Sequence, residues 1–212
     1  MTESDAAQRI GAFPVKGGVH FSVYSSVATL VELCIFSKDF SEQVKIPLTR
    51  MDGDVWRVFV PDAGPGTIYG YRVHGEYAPE RGLFANPQKL LLDPHAKALV
   101  QDSDAALGVV VNDAFSWEND SLPRIPFAKS VVYEAHVRGL TKNFPGLSED
   151  LRGTYAALAH DSVIHYLKDS GVTTLELLPV HAKCDDRFLV DKGLTNYWGY
   201  STLGFFTPEP RY

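Results

Sequence analysis

A regular alternation of apolar and polar residues over positions 10–75 constrains the fold of this chain more than any other feature. Successive side chains of a β-strand point to opposite faces, so a period of two marks strands with one buried face. Turn-forming residues separate the alternating runs at Gly17-Gly18, Asp52-Gly53-Asp54 and Gly64-Pro65-Gly66. We therefore expect at least five short antiparallel strands in a small β-sandwich, with apolar sets around Val19, Val31, Val44, Trp56 and Tyr69.

The hydrophobic pattern changes after a proline-containing linker. Residues 131–137 and 173–180 are typical of strands, and the second run is almost continuously apolar. Asp161, between them, can cap a helix. A strand, a helix and a buried strand in this order predict a βαβ unit with a parallel pair. We therefore expect a β-sandwich with its linker over residues 10–125 and a second domain over residues 130–212.

The composition excludes several classes of protein. A formal net charge of −6 argues against a nucleic-acid-binding protein, which usually presents a basic face. No apolar run approaches the roughly 18 residues of a membrane span, and residues 1–5 are too polar and acidic for a signal peptide. The two cysteines, Cys34 and Cys184, fit a reducing compartment. The sequence therefore predicts a cytoplasmic protein, and it gives no reason to invoke a metal or another cofactor.

An aromatic segment near the end of the chain is the strongest candidate for a binding site. Residues 195–200 read Thr-Asn-Tyr-Trp-Gly-Tyr, and Gly204-Phe205-Phe206 follows shortly after. Three aromatic residues around a glycine are typical of a recognition loop. Flat aromatic rings suit flat apolar surfaces, and the C–H faces of a sugar ring are such surfaces.

Further motifs occur in a fixed order: residues 68–82, 86–94, 132–141, 152–155, 175–180 and 196–200. Together they resemble the glycogen-debranching and isoamylase group of the α-amylase superfamily of glycoside hydrolases. The resemblance implies an N-terminal β-sandwich of the carbohydrate-binding-module 48 (CBM48) type, followed by a (β/α)₈ TIM barrel. A complete barrel takes roughly 250 residues, so we expect an N-terminal fragment with about two of the eight barrel strands.

The resemblance also implies an activity, the hydrolysis of α-1,6-glucosidic branch linkages in glycogen or another branched α-glucan by a retaining mechanism. The catalytic carboxylates of the family follow later barrel strands, so they are expected beyond Tyr212, and this chain alone is expected to be inactive. The remainder of the catalytic barrel is then a partner. By resemblance, Tyr200 lies under the glucose unit being cleaved, and Trp198 and Asn196 shape the same wall. Alternatively, these rings and Tyr197 plug a gap at the barrel top.

Several other residues admit two interpretations. Glu134 and Glu176 could form a catalytic pair, but they precede the strand ends where barrel active sites lie, which favours a structural role. His136 could support the pocket or be a core histidine. Trp56 and Trp117 could be sugar platforms on the sandwich, although such residues are more often core.

Other functions are compatible with the same motifs. A non-catalytic glucan-binding or scaffold protein could retain the sandwich with an incomplete barrel. A branching enzyme or a maltooligosyl-trehalose hydrolase would belong to the same superfamily. The aromatic segment and residues 138–141 resemble debranching enzymes more than either of these. Near Lys183 the family usually carries an apolar residue, so the packing of that loop does not follow from the resemblance.

Overall fold

The computed structural model describes residues 8–101 and 105–212. The prediction about a signal peptide concerns residues 1–5, which lie outside the described residues. The chain divides into two compact units. The first comprises Met1–Ala114 and Gly204–Thr207, and the second comprises Phe115–Leu203 and Pro208–Tyr212.

Two antiparallel sheets dominate the first unit, with strand orders that the sequence did not predict. In chain order its strands are β1 Gly11–Val15, β2 Gly18–Tyr24, β3 Ala28–Phe36, β4 Glu42–Pro47, β5 Thr49–Arg50, β6 Val55–Pro61, β7 Ile68–Gly75, β8 Tyr77–Ala78, β9 Leu83–Phe84, β10 Leu99–Gln101 and β11 Ala106–Val109. One sheet has the order β1-β2-β6-β5 and the other the order β10-β11-β7-β3-β4, while β8 and β9 pair separately.

The apolar positions of the alternation meet between these two sheets. Phe21 from one sheet and Leu33 from the other are fully buried, and the Phe21 ring lies edge-on to Tyr69 at 4.9 Å between centroids. Trp56 is 5% exposed, and its indole N–H donates to the Ser25 carbonyl oxygen at 3.0 Å. The predicted β-sandwich is confirmed, and Trp56 is part of its core.

The second unit contains the predicted βαβ arrangement. Its elements are β12 Val132–Ala135, α1 Val137–Thr141, α2 Tyr155–Leu158, α3 Asp161–Asp169, β13 Thr174–Leu177, β14 His181–Lys183 and α4 Arg187–Val190, and the last strand, β15 Thr202–Pro208, is shared with the first unit. β12 and β13 are parallel and in register from Val132–Thr174 to Ala135–Leu177. A small core surrounds Ala157, Val163 and Leu167. None of the described helices is long and apolar enough to cross a membrane.

Two local predictions in this unit are wrong. The strand predicted over residues 131–137 ends at Ala135, because His136 caps the helix α1 that starts at the next residue. Asp161 is the first residue of α3 rather than its cap, and the ring of His160 accepts the Ser162 N–H instead. In both cases a histidine nitrogen supplies the acceptor that Ser, Thr, Asp or Asn usually provides.

Candidate functional site

Residues 195–200, called the aromatic loop below, are held in shape by Asn196. The Asn196 Oδ1 atom accepts a hydrogen bond from the Gly199 N–H at 2.9 Å, and Nδ2 donates to the Cys184 carbonyl oxygen at 3.2 Å. The Asn196 N–H donates to Asp185 Oδ1 at 2.8 Å. Asn196 therefore fixes the backbone of the loop, and contact between its side chain and a substrate stays a prediction.

Gly199 is required by the conformation of the aromatic loop. Its φ of 84° lies in the left-handed region that favours glycine. A Cβ atom here would lie 3.2 Å from Lys183 Cδ and 3.3 Å from the Pro179 carbonyl oxygen. A side chain at this position would therefore strain the backbone and displace the Lys183 stem.

The three aromatic rings of the loop have different surroundings. Tyr197 stacks on His136, with centroids 4.2 Å apart and planes at 10°, and Trp198 lies edge-on to Tyr197 at 5.4 Å. Tyr200 is 70% exposed, compared with 58% for Trp198 and 43% for Tyr197. Packing against His136 and Trp198 accounts for the position of the Tyr197 ring. The exposed rings of Tyr200 and Trp198 can receive a flat apolar ligand surface.

His136 connects the end of β12 with the aromatic loop. Its Nδ1 atom accepts hydrogen bonds from the N–H groups of Arg138 and Gly139, each at 3.1 Å, and its Nε2 lies 2.8 Å from the Tyr197 carbonyl oxygen. A nitrogen that accepts two backbone N–H groups carries no proton, so the ring is neutral and Nε2–H donates to Tyr197. Burial, aided by the charge of Lys183, lowers the pKa of His136 and favours this neutral form. His136 is thus a buried residue that supports the loop.

We expect acid to weaken this unit below about pH 6.5, the ordinary pKa of an unfolded histidine. Because the pKa of His136 is lowered by burial, the unfolded state binds more protons than the folded state between the two pKa values. The stabilisation is complete above about pH 6.5 and is lost as the pH falls through the lowered pKa. Thermal unfolding over this range should show a smaller pH dependence for His136→Asn than for the wild type. The exposed His165→Asn is the control, and equal slopes for wild type and His136→Asn would contradict the assignment.

A buried lysine, which the sequence did not predict, also supports the aromatic loop. Lys183 is 6% exposed, and its Nζ atom donates to the Tyr197 carbonyl oxygen at 3.1 Å and to the Tyr212 hydroxyl at 2.6 Å. The ammonium lies 4.8 Å from the centre of the Tyr212 ring, within the range of a cation–π contact. Burial, followed by the charge of Arg211, lowers the pKa of Lys183. The only signal in the sequence for this position comes from the resemblance, which implies an apolar residue near Lys183.

The buried carboxylate of Glu209 contacts Lys183 and is the third group that supports the aromatic loop, after His136 and Lys183. Glu209 is 1% exposed, accepts the Lys183 backbone N–H on Oε2 at 3.0 Å, and pairs through Oε1 with Arg211 Nε at 2.5 Å. Arg211 also bonds Asp185, with Nη1 and Oδ2 2.7 Å apart. A buried carboxylate requires such partners to offset its lost hydration. Glu209 and Asp185 therefore have structural roles.

A hollow of about 270 Å³ lies beside these groups, lined by Arg138, Lys183, Thr195, Asn196, Tyr197, Arg211 and Tyr212. Its lining combines hydrogen-bond donors with aromatic carbon. This combination suits a ligand that carries hydroxyl groups on an apolar frame.

Three further residues considered in the sequence analysis lie elsewhere in the second unit. Glu134 and Glu176 are exposed register partners within β12 and β13, not residues that follow the strand ends. Trp117 is 69% exposed and lies edge-on to Phe115 at 4.9 Å, so the core interpretation is wrong for this residue. Within the described part of the chain, no group of three or more His, Cys, Asp or Glu side chains could hold a metal ion.

Comparison with protein families gives a match over the β-rich part. Residues 9–96 match the model of carbohydrate-binding module 48, the isoamylase N-terminal domain. The chain as a whole is 43% identical over 215 aligned residues to the glycogen debranching enzyme of Yersinia enterocolitica, with 92% of this chain and 32% of that protein covered. The glycogen debranching enzyme of Dickeya chrysanthemi is 47% identical over 88% of this chain and 31% of its own length.

Solved structures show the same fold. A pullulanase from Bacillus acidopullulyticus superposes with a TM-score of 0.77 at 24% identity, over 96% of this chain and 25% of that one. A mutant pullulanase from Paenibacillus barengoltzii, complexed with maltotriose, gives a TM-score of 0.76 at 22% identity, over 97% and 33% of the two chains. The predicted resemblance to the debranching and isoamylase group is confirmed. The chain spans about a third of the length of the curated relatives that it matches.

Proposed function

We propose that this chain is the N-terminal, glucan-contacting part of a cytoplasmic glycogen-debranching enzyme that hydrolyses α-1,6-glucosidic branch linkages. The observation that carries the proposal is the 43% identity to a glycogen debranching enzyme across 92% of the chain. The exposure of Tyr200 and Trp198 supports it, because these rings can stack on glucose.

In this proposal β12, α3 and β13 form the start of a (β/α)₈ barrel, and the aromatic loop lies at the active-site end, where barrel enzymes place their loops. Tyr200 supports the glucose unit at the cleavage point, and Trp198 limits its lateral movement. Asn196, His136 and Lys183 hold the loop in place. Hydrolysis with retention requires two carboxyl groups about 5–5.5 Å apart across the bond. These groups belong to barrel strands outside the 212 residues.

The test is a hydrolysis assay on the full-length product of the gene that encodes this chain. Incubation with a phosphorylase-limit dextrin of glycogen should release short linear oligosaccharides and new reducing ends, whereas linear amylose should release none. The 212-residue chain alone should bind the dextrin without cleaving it. Binding by the full-length protein without hydrolysis would instead identify a non-catalytic glucan-binding protein.

A further inference from the structure

Three cationic side chains line the hollow beside the aromatic loop, although the chain as a whole is acidic. Arg138, Lys183 and Arg211 all line this volume of about 270 Å³, and every lining residue belongs to the second unit. The chain carries a formal net charge of −6. The sign of the charge around this hollow is therefore opposite to that of the whole chain.

Only one of the three cations is paired with carboxylates. Arg211 pairs with both Glu209 and Asp185. Within the described part of the chain, Arg138 and Lys183 form no ion pair, and the Lys183 ammonium donates instead to a carbonyl oxygen and a phenol. The neighbouring imidazole is neutral, as described above. Three cations and two carboxylates therefore leave one net positive charge at the hollow.

The Lys183 ammonium gives the strongest indication of an anionic ligand. Lys183 is only 6% exposed, and a buried charge without a counterion loses hydration that neutral partners replace only in part. Burial, followed by the charge of Arg211, lowers the pKa of Lys183. An anion in the hollow would offset both effects, because an opposite charge nearby favours the charged form of an amine.

Arg138 and Thr195 supply further donors to the same hollow. The stem of Arg138 lies against Gly153, where an added Cβ atom would be 3.0 Å from Arg138 Cγ. The Arg138 backbone N–H bonds His136, but its guanidinium makes no hydrogen bond to a described residue. A phosphoryl group presents three strong acceptor oxygens, and a guanidinium can bond two of them at once. The free guanidinium, the ammonium and the hydroxyl group match these acceptors.

We propose that this hollow binds a phosphoryl group, with Arg138 and Lys183 as its two charged donors. The group comes either from free inorganic phosphate or from a phosphate ester of a sugar. In the second case the sugar ring would lie against the aromatic carbon of the same lining. This inference goes beyond the proposed function, because a neutral glucan that stacks on Tyr200 and Trp198 requires neither cation.

The test is calorimetric titration of the full-length protein at constant ionic strength, with inorganic phosphate, glucose 6-phosphate and glucose as separate ligands. Arg138→Gln should weaken phosphate binding roughly ten- to hundredfold, which corresponds to the loss of one hydrogen bond between charged groups. Arg138→Lys, which keeps the positive charge, should retain part of the affinity. The control is Lys142→Gln, at an exposed lysine that follows α1 and does not line the hollow, and it should bind as the wild type does. Thermal unfolding of each variant verifies that the fold is retained.

The two phosphate-containing ligands distinguish the sources of the phosphoryl group. Tighter binding of glucose 6-phosphate would support a sugar phosphate, and tighter binding of inorganic phosphate would support the free anion. Equal phosphate affinity of the wild type and Arg138→Gln, with the fold retained, would overturn the proposal. An equal loss of affinity for glucose and for phosphate would also overturn it, because Arg138 would then recognise a sugar hydroxyl group.

These titrations require no hydrolysis, so their outcome is separate from that of the proposed function. If the full-length protein cleaves branched dextrin while Arg138→Gln binds phosphate normally, only the phosphoryl site fails. If Arg138→Gln weakens phosphate binding but the wild type cleaves no dextrin, only the hydrolase assignment fails.

Discussion

Replacement of Tyr200 by alanine is expected to lower turnover of branched dextrin by the full-length enzyme roughly ten- to hundredfold. The ring is 70% exposed, so its loss should leave the fold intact. The substitution would remove a stacking contact that contributes roughly 0.5–1.5 kcal/mol. The glucose unit could then shift, and a misplacement of about 1 Å can lower the reaction rate about a hundredfold. The measurement is the initial rate of reducing-end release at saturating dextrin.

Tyr200→Phe is the matched control, because it keeps the ring and removes only the hydroxyl group. We expect it to retain most of the turnover. Thermal unfolding should be the same for both variants and the wild type. Near-normal turnover of Tyr200→Ala would show that the ring does not lie beneath the cleaved glucose unit.

Replacement of Lys183 by methionine should both destabilise the second unit and lower activity. Methionine preserves much of the buried stem that contacts Gly199, but it removes the ammonium that donates to Tyr197 and Tyr212. A hydrogen bond from a charged group contributes about 1.5–3 kcal/mol, and desolvation of the buried ammonium offsets part of the gain from the two bonds, so we expect the free energy of unfolding to fall by about 1.5–3 kcal/mol. The loosened aromatic loop should then reduce turnover several-fold more than it changes KM. Urea unfolding and steady-state kinetics measure the two effects.

The exposed Lys192→Met is the control for removal of a lysine charge from the same segment. It should change neither stability nor turnover. If Lys183→Met unfolds at the same urea concentration as the wild type, with an unchanged rate, the ammonium does not hold the loop.

The sandwich could be predicted because its signal is local. Alternation places Phe21 and Val31 in the core whatever the order of the strands, so the fold class follows from the period. The sheet order does not follow, because it depends on pairings such as Gly108 with Tyr69, between residues far apart in the chain. The end of β12 was missed because the β-branched Val137 favours a strand. The cap that His136 provides is visible only in three dimensions.

The candidate site was predicted in part for a similar reason. Aromatic residues around Gly199 predict a recognition loop from composition alone, and that role stays a prediction. A lysine is ordinarily exposed, so the sequence gave no sign that Lys183, the last residue of β14, is buried. Its partners, the Tyr197 carbonyl oxygen and the Tyr212 hydroxyl, lie 14 and 29 residues away in the chain. His95 and Phe206 are also too far apart in the sequence for the stacking of their rings to be predicted.

The hydrogen bonds of Asn196 have a thermodynamic consequence for recognition. They fix the aromatic loop through contacts within the protein, so the rings of Trp198 and Tyr200 would be preorganised for the proposed glucan ligand. Little backbone entropy then remains to be lost on association, and most of the stacking free energy can appear as affinity. Asn196→Ala should therefore weaken glucan binding through a larger entropic penalty, although the aromatic rings themselves are unchanged.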